Sequence, residues 1–223
     1  MKMIISISPI SNLTINNLYQ TKFIDHSPFY SFSKNFFSSN IQLSKVISKQ
    51  FSSPLLTYYS SLKKIQVSQS SFLHFIFTPL CVNEEYYNRQ HFSNYINQST
   101  NTIFTNCIFQ IDYTNNCFIH LSNNQFVFDY CQFINSTING TSLIELNLYQ
   151  VSFKYSIFLN IHGNGPSNII HATSLFDEDS FKIEYSNITT NSVEGNIFFV
   201  GGSILCLNHC LFLYNNCSSN LIY

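Results

Sequence analysis

Apolar side chains follow a recurring strand-like pattern along the chain, and its clearest copy runs from Phe126 to Asn135. We take Cys131 as the anchor of this copy. Large apolar residues stand five and three positions before the anchor, at Phe126 and Phe128, and two positions after it, at Phe133. Because strand side chains alternate between two faces, positions minus five, minus three and minus one are predicted to share one face.

The same template recurs along the chain with a small residue at each anchor. The anchors that we identify are Thr21, Ser70, Cys107, Cys131, Ser156, Ser186 and Cys210. The last five are spaced 24, 25, 30 and 24 residues apart, and a period of this size is typical of a solenoid. The interval from Thr21 to Ser70 is close to twice that period, but we find no anchor in its middle.

The phase of the pattern indicates how each turn is folded. The anchor and position plus two have the opposite parity to positions minus five, minus three and minus one. Since both sets are apolar or small, we expect both to face one interior, which requires a corner between position minus one and the anchor. Most of these corners contain no Gly or Pro, so a parallel solenoid fits better than a hairpin.

The remainder of each period agrees with this prediction. A second apolar run follows most anchors, and turn-forming residues such as Asn139-Gly140 and 162–166 lie between. We therefore predict three strands in each turn. Asn side chains recur at positions plus four and plus five, where stacked amides can form hydrogen-bonded ladders. These residues are Asn135, Asn160, Asn191 and Asn215.

The whole pattern resembles the right-handed parallel β-helix of pectin-lyase-like proteins. Within it, 201–204 (Gly-Gly-Ser-Ile) followed by Phe212 and Asn215 resembles the GGA[ILV] and FxxN pair of polymorphic outer-membrane-protein-like repeats, with Ser203 in place of Ala. The resemblance implies an all-β fold, a right-handed parallel β-helix with turns of 24 to 25 residues. The looser family contains surface proteins of parasites and bacteria as well as carbohydrate-active enzymes.

The repeats divide the chain into two regions. Residues 96–223 carry the regular repeats and are expected to leave an open C-terminal end. Residues 1–95 are expected to form degenerate first turns or a cap, with a loop near 79–91. Because the chain stops within a turn at Tyr223, we expect either a fragment of a longer protein, a truncated copy, or a partner over the open strand edge.

Composition narrows the function classes. Charged residues make up 9% of the chain and the net charge is −1, whereas typical soluble domains carry about a quarter charged residues. Apart from Lys63-Lys64 there is no basic cluster, so we expect no nucleic-acid partner. No apolar run is long enough for a membrane helix. Residues 1–11 begin like a secretory signal, but Ser6, Ser8 and Pro9 interrupt the apolar run.

The cysteines give no metal signature. They are Cys81, Cys107, Cys117, Cys131, Cys206, Cys210 and Cys217. None of them forms a pair with zinc-finger spacing. Cys107 and Cys131 are predicted to stack at a distance compatible with a disulfide. Since Ser takes the same position in other turns, we attribute the position to side-chain size.

Two short motifs resemble parts of β-helix enzymes. His162-Gly163 resembles the His-Gly element of polygalacturonase-type enzymes, which also need clustered Asp residues, and no such cluster is apparent, so we interpret His162 as a turn residue. A pectate-lyase mechanism needs an Arg beside a Ca²⁺ site, and Arg89 is far in sequence from the acidic run 177–179. We interpret that run as a solvated loop.

The sequence therefore favours a non-catalytic repeat protein at the cell surface or outside the cell, with a binding or adhesion role. We expect no catalytic, cofactor-binding or metal-binding residues. Candidate partners are a saccharide or protein ligand on a β face, and a second copy at the open end. The alternatives are a carbohydrate-active lyase or glycoside hydrolase, and a truncated or decayed repeat protein.

Overall fold

The protein is represented by a computed structural model. It describes residues 5–6, 12–23, 30–31, 40–51, 56–58, 64–75, 80–82, 100–111, 119–174, 180–202 and 204–223. Within these ranges the regular elements are all β-strands and no residue is helical. The predicted all-β fold class is confirmed.

The described residues form twenty-four strands. In chain order they are β1 (Ile5–Ser6), β2 (Asn12–Asn16), β3 (Tyr19–Phe23), β4 (Tyr30–Ser31), β5 (Asn40–Ser44), β6 (Ile47–Phe51), β7 (Leu56–Tyr58), β8 (Lys64–Ser68), β9 (Ser71–Phe75), β10 (Leu80–Val82), β11 (Thr100–Thr105), β12 (Ile108–Ile111), β13 (Ile119–Asp129), β14 (Gln132–Asn139), β15 (Ile144–Lys154), β16 (Ile157–Asn164), β17 (Ile170–Ser174), β18 (Ser180–Glu184), β19 (Asn187–Thr189), β20 (Ser192–Val193), β21 (Phe198–Gly201), β22 (Ile204–Asn208), β23 (Leu211–Leu213) and β24 (Asn216–Cys217).

These strands stack in parallel as the three walls of a solenoid. The first wall contains β2, β5, β8, β11, the second halves of β13 and β15, then β18 and β22. The second wall contains β3, β6, β9, β12, β14, β16, β19 and β23, and β20 and β24 continue it from the second half of β16. The third contains β1, β4, β7, β10, the first halves of β13 and β15, then β17 and β21. The predicted parallel β-solenoid is confirmed.

A residue in the left-handed backbone region makes the corner between the first and second walls. In the described turns these corner residues are Asn17, Lys45, Gln69, Asn106, Tyr130, Tyr155, Tyr185 and His209, with φ between 49° and 56°. Hydrogen bonding continues through the corner, because the Tyr130 N–H donates to the Lys154 carbonyl at 2.9 Å. The left-handed conformation costs a non-glycine residue roughly 1–2 kcal/mol.

Many turns have a second left-handed residue at position plus four, where the second wall bends. Within the described chain these residues are Gln50, His74, Asn135, Asn160, Thr190 and Tyr214. The two corner positions together account for every non-glycine residue with positive φ that the structure describes. These two corners are thus made by non-glycine residues at fixed positions, whereas Gly140, Gly165 and Gly202 have positive φ elsewhere in the turns.

Position minus one faces solvent, so the prediction that it shares the interior with positions minus five and minus three is wrong. Tyr130 is 51% exposed, whereas Phe126, Phe128, Cys131 and Phe133 are buried. The left-handed backbone at position minus one interrupts the alternation of the two faces. The anchor therefore points inward, directly after a side chain that points outward. The alternation that the sequence pattern assumed holds only up to position minus two.

Phenylalanine rings stack from turn to turn in the core. At position minus three, ring centroids lie 4.9 Å apart between Phe104 and Phe128 and 4.5 Å apart between Phe128 and Phe153. At position plus two, the distance between Phe133 and Phe158 is 4.9 Å. Burying each such side chain contributes roughly 1.5–3 kcal/mol, so these rows account for much of the cohesion between turns.

The first two anchors differ from the sequence prediction. Left-handed Asn17 precedes Leu18, and left-handed Lys45 precedes buried Val46. The first anchor is therefore Leu18 and not Thr21, and the middle anchor that the sequence analysis did not find is Val46. The pattern obscured it because Val46 is large for an anchor and buried Ser48 replaces the usual aromatic residue at position plus two.

The preference for Ser and Cys at the anchors is explained by hydrogen bonding as well as by side-chain size. The Ser156 hydroxyl lies 3.1 Å from the Lys154 carbonyl and 3.3 Å from the Phe128 carbonyl. The Ser156 N–H in turn donates to the Ser186 hydroxyl at 3.1 Å. Buried polar groups at the corner need such partners, and both Ser and Cys supply a donor of the right size.

Candidate functional site: the aromatic corner ladder

The exposed corner between the first and second walls carries four stacked rings. We name Tyr130, Tyr155, Tyr185 and His209 the corner ladder. Successive ring centroids lie 4.8, 5.2 and 4.9 Å apart, with interplanar angles of 12°, 14° and 13°. The tyrosines are 51%, 44% and 46% exposed. The ladder therefore presents a continuous row of ring edges and polar ring atoms to solvent.

The fold does not require aromatic residues at this corner. Asn17 and Asn106 occupy the same position in other turns, and Asn tolerates the left-handed region better than Tyr does. Stacking of one ring pair returns about 0.5–1.5 kcal/mol, which is comparable with the backbone cost. The tyrosines thus contribute little net stability to the fold, and their exposed rings are available to bind a ligand.

Charged and amide side chains line the first-wall side of the corner ladder. They are Asp129, Lys154, Glu184 and Asn208, one position before each ring. The Lys154 ammonium lies 3.0 Å from the Glu184 carboxylate. This hydrogen bond lowers the pKa of Glu184 and raises the pKa of Lys154 from their ordinary values.

The outer face of the second wall lies on the other side of the corner ladder. Aliphatic side chains at Ile134, Ile157 and Leu159 occupy its centre, and Leu159 is 38% exposed. The far edge carries amides: Asn160 Nδ2 donates to Asn135 Oδ1 at 2.9 Å. The outer face of the second wall is therefore bordered by rings on one side, carries aliphatic groups in its centre and has amides at its far edge.

This arrangement supports binding by contact and hydrogen bonding. Apolar ring edges and aliphatic groups can cover the apolar parts of a ligand, while the amides and carboxylates on both sides can bind its polar edges. Among the side chains that the structure describes, no three His, Cys, Asp or Glu residues are grouped in a way that would hold a metal ion.

His162 lies in strand β16 and not in a turn, so that part of the sequence prediction is wrong. Its side chain is exposed and Nε2 lies 3.0 Å from Asn160 Oδ1. The following Gly163 is explained by packing, because a Cβ there would lie 2.8 Å from the Ser167 Cβ and 3.0 Å from the Val193 Cγ1. The glycine of the His-Gly pair is thus explained by packing against the inward-facing side chains around the second wall.

Several sequence candidates fall outside the described residues. They are Lys63, Arg89, Cys117 and the acidic run 177–179. The predicted loop 79–91 is wrong for residues 80–82, which form strand β10 beside β7 and β13, and the residues from 83 to 91 are not described. The short continuous apolar run of Leu80, Cys81 and Val82 was the available signal for this strand.

The predicted asparagine ladders are confirmed and belong to two sets. Asn135 and Asn160 form the exposed pair at position plus four. Asn191 is buried at position plus five, where its Oδ1 accepts from the Ile161 N–H at 3.0 Å and its Nδ2 donates to Asn215 Oδ1 at 2.9 Å. Asn215 of the Phe-x-x-Asn motif therefore ties the last described turns together.

Two further ladders were not anticipated. Asn168 Oδ1 accepts from the Asn196 N–H at 2.8 Å, and Asn196 Oδ1 accepts from the Asn220 N–H at 3.0 Å. On the outside of the third wall, the Phe199 ring contacts His171 at 4.7 Å and Tyr223 at 5.0 Å between centroids. The members of each ladder hold equivalent positions in successive apolar runs, and this repetition was the sequence signal for both ladders.

The described part of the chain contains no helix that is long and apolar enough to span a membrane. No protein-family model matches the chain, and comparisons with curated proteins and with solved structures found no match.

Proposed function

We propose that this protein is a non-catalytic binding scaffold, exposed at the cell surface or secreted, that holds an extended ligand along the corner ladder. The observation that carries the proposal is the row of Tyr130, Tyr155, Tyr185 and His209, exposed at a corner where Asn stands in two other turns. A parallel solenoid holds such a row at a fixed period because its strands stack in register.

The chemistry of the face favours a saccharide chain over a charged polymer. A sugar ring combines apolar C–H faces with a rim of hydroxyl groups. The corner ladder and Leu159 offer apolar contact, while Asp129, Glu184 and Asn160 lie where they can bind hydroxyls. The ring spacing of 4.8 to 5.2 Å is also close to the length of one sugar unit in an extended chain.

Retention on immobilised polysaccharides tests the proposal. The test variant combines Tyr130→Asn, Tyr155→Asn and Tyr185→Asn, since Asn occupies this corner elsewhere in the fold. The matched control combines Gln125→Ala and Gln150→Ala, which removes an exposed side-chain hydrogen bond of 2.9 Å on the outer face of the first wall.

We expect the native chain and the control to be retained on at least one neutral or acidic polysaccharide, and the triple variant to lose at least about tenfold in affinity, the equivalent of about 1.4 kcal/mol. Equal retention of all three proteins would refute the role of the corner ladder. Retention of none, together with capture of a protein ligand that the triple variant fails to capture, would replace the saccharide by a protein.

Exposure on the cell is tested by protease shaving of intact cells that express the gene with a C-terminal tag. Loss of the tagged band, while cytosolic markers survive, is the expected result. A protected band under conditions that remove a known surface protein would contradict the proposed location and leave the binding test unaffected.

A further inference from the structure

Two cysteines occupy the same buried position in successive turns of the core. Cys107 and Cys131 are the anchors of successive turns, and both are completely buried. The residues that follow them, Ile108 and Gln132, are register partners in parallel strands. Neighbouring positions in such a ladder lie about 4.8 Å apart, which falls within the Cα separation that a disulfide spans.

Each sulfur atom lies near the backbone of its own turn and of the turn before it, and Cys107 Sγ is 3.4 Å from the Val67 carbonyl of the preceding turn. Cys107 Sγ lies 3.5 Å from the Thr105 carbonyl, and Cys131 Sγ lies 3.5 Å from the carbonyl of the preceding residue, Phe104. The Cys131 sulfur thus reaches back into the turn that Cys107 anchors. Cys210, the other described cysteine anchor, stacks on Ser186 and has no thiol at this position in the preceding turn.

From this placement we infer that Cys107 and Cys131 form a disulfide that joins two turns of the solenoid when the chain folds in an oxidising compartment. The link closes a covalent loop of 24 residues across the most regular part of the core. Both thiols are free in the structure, which holds the two cysteines at neighbouring positions of the stack.

The folded environment shifts the pKa values of the two thiols in opposite directions. A hydrogen bond from the Cys131 thiol lowers the pKa of Cys107 from its ordinary value, while burial raises the pKa of Cys131. In the folded state Cys107 is therefore the thiol that ionises more easily.

The reaction needs a small disulfide, such as oxidised glutathione, as the oxidant. The Cys107 thiolate attacks one sulfur of this disulfide, forms a mixed disulfide and expels one glutathione thiolate. Cys131 loses its proton and attacks the Cys107 sulfur, which forms the Cys107–Cys131 bond and expels the second glutathione thiolate. Two electrons pass to the oxidant, and the two thiol protons end on the two glutathione molecules. Because both sulfurs are buried in the folded chain, the exchange takes place before the turns close, and it can start equally at Cys131.

The test uses the full chain, refolded with reduced and oxidised glutathione and, separately, under full reduction. After unfolding, free thiols are alkylated and peptides are mapped by mass spectrometry. We expect one cross-linked peptide pair containing Cys107 and Cys131 in the oxidised sample. We also expect a midpoint of thermal unfolding that is roughly 5–10 °C higher than in the reduced sample.

The chain offers a matched control at an equivalent position. Cys107→Ser retains the size and the hydroxyl donor that Ser156 and Ser186 supply elsewhere, and it should abolish both the cross-link and the thermal shift. Cys210→Ser should leave both unchanged. Full alkylation of Cys107 and Cys131 after oxidative refolding would overturn the inference, as would a thermal shift that Cys107→Ser preserves.

Discussion

Tyr130 and Tyr155 stack with their ring centroids 4.8 Å apart, although both residues hold the backbone in the left-handed region at φ 53° and 50°. The two observations belong together, because the left-handed corner is what turns the rings outward and in register. A residue that is strained in the left-handed region and forms no ring stack should therefore destabilise the turn.

Substitutions at Tyr155 separate the backbone cost from the ring. Tyr155→Asn should change the free energy of unfolding by less than about 1 kcal/mol, because Asn tolerates positive φ. Tyr155→Ile should lose about 2–3 kcal/mol, since a β-branched residue is strained there and the stack is lost. Urea unfolding followed by circular dichroism measures both. Equal stability of the two variants would contradict the left-handed corner.

A charged side chain within the stacked phenylalanine rows should unfold the solenoid. Phe153 is fully buried and its ring stacks on Phe128 at 4.5 Å. Phe153→Asp places an unpaired carboxylate in this row, which costs several kcal/mol beyond the loss of packing. We expect loss of the β-sheet circular dichroism signal at 25 °C, whereas Gln150→Asp on the outer face of the same strand should retain it. A folded Phe153→Asp variant would refute the inward register.

Removal of the buried amide at Asn191 should be far more costly than removal of an exposed one. Asn191→Leu leaves the Ile161 N–H and the Phe158 carbonyl without their side-chain partner, and each unsatisfied buried group costs about 1–3 kcal/mol. We expect a loss of about 2–4 kcal/mol in chemical unfolding. Gln150→Ala, which breaks an exposed hydrogen bond, should stay within about 0.5 kcal/mol. Comparable losses would show that Asn191 is not satisfied internally.

Acid should weaken the protein in part through Glu184. The hydrogen bond from Lys154 lowers the pKa of this carboxylate in the folded state. Its stabilising contribution is therefore present above the unfolded pKa of about 4.3 and is lost as pH falls through the lower folded pKa. Glu184→Gln should flatten the dependence of unfolding free energy on pH below about pH 4.5. An unchanged slope across pH 3–5 would exclude this contribution.

The sequence pattern predicted the stack but not the corner geometry, and the difference has a physical cause. Rows of Phe104, Phe128 and Phe153 follow from strand alternation alone. The outward position of Tyr130 depends on one backbone dihedral, and tyrosine carries no signal for positive φ as glycine would. An alternation rule applied across such a residue assigns the wrong face to it.

Similar limits explain the missed anchor and the misplaced turn residues. Val46 and Ser48 exchange the usual sizes of anchor and position plus two, so a search for a small residue followed by a large one passes over them. Gly163 looks like a turn former, but it lies in strand β16, and glycine is found there because the neighbouring Ser167 leaves no room for a side chain. The candidate site depends on rows of side chains across turns. The spacing placed Tyr130, Tyr155, Tyr185 and His209 at one repeated position, but strand alternation assigned that position to the interior.

The intervals between anchors vary, yet the corners do not. Ser156 and Ser186 are 30 residues apart and Cys131 and Ser156 are 25 apart, while φ at the corner residues stays between 49° and 56°. Each turn pairs only with the turn before and the turn after it, so folding energy is a sum of nearest-neighbour terms. Such a molecule can gain or lose a whole period without a change in the structure of the others, and its length is free to evolve separately from its cross-section.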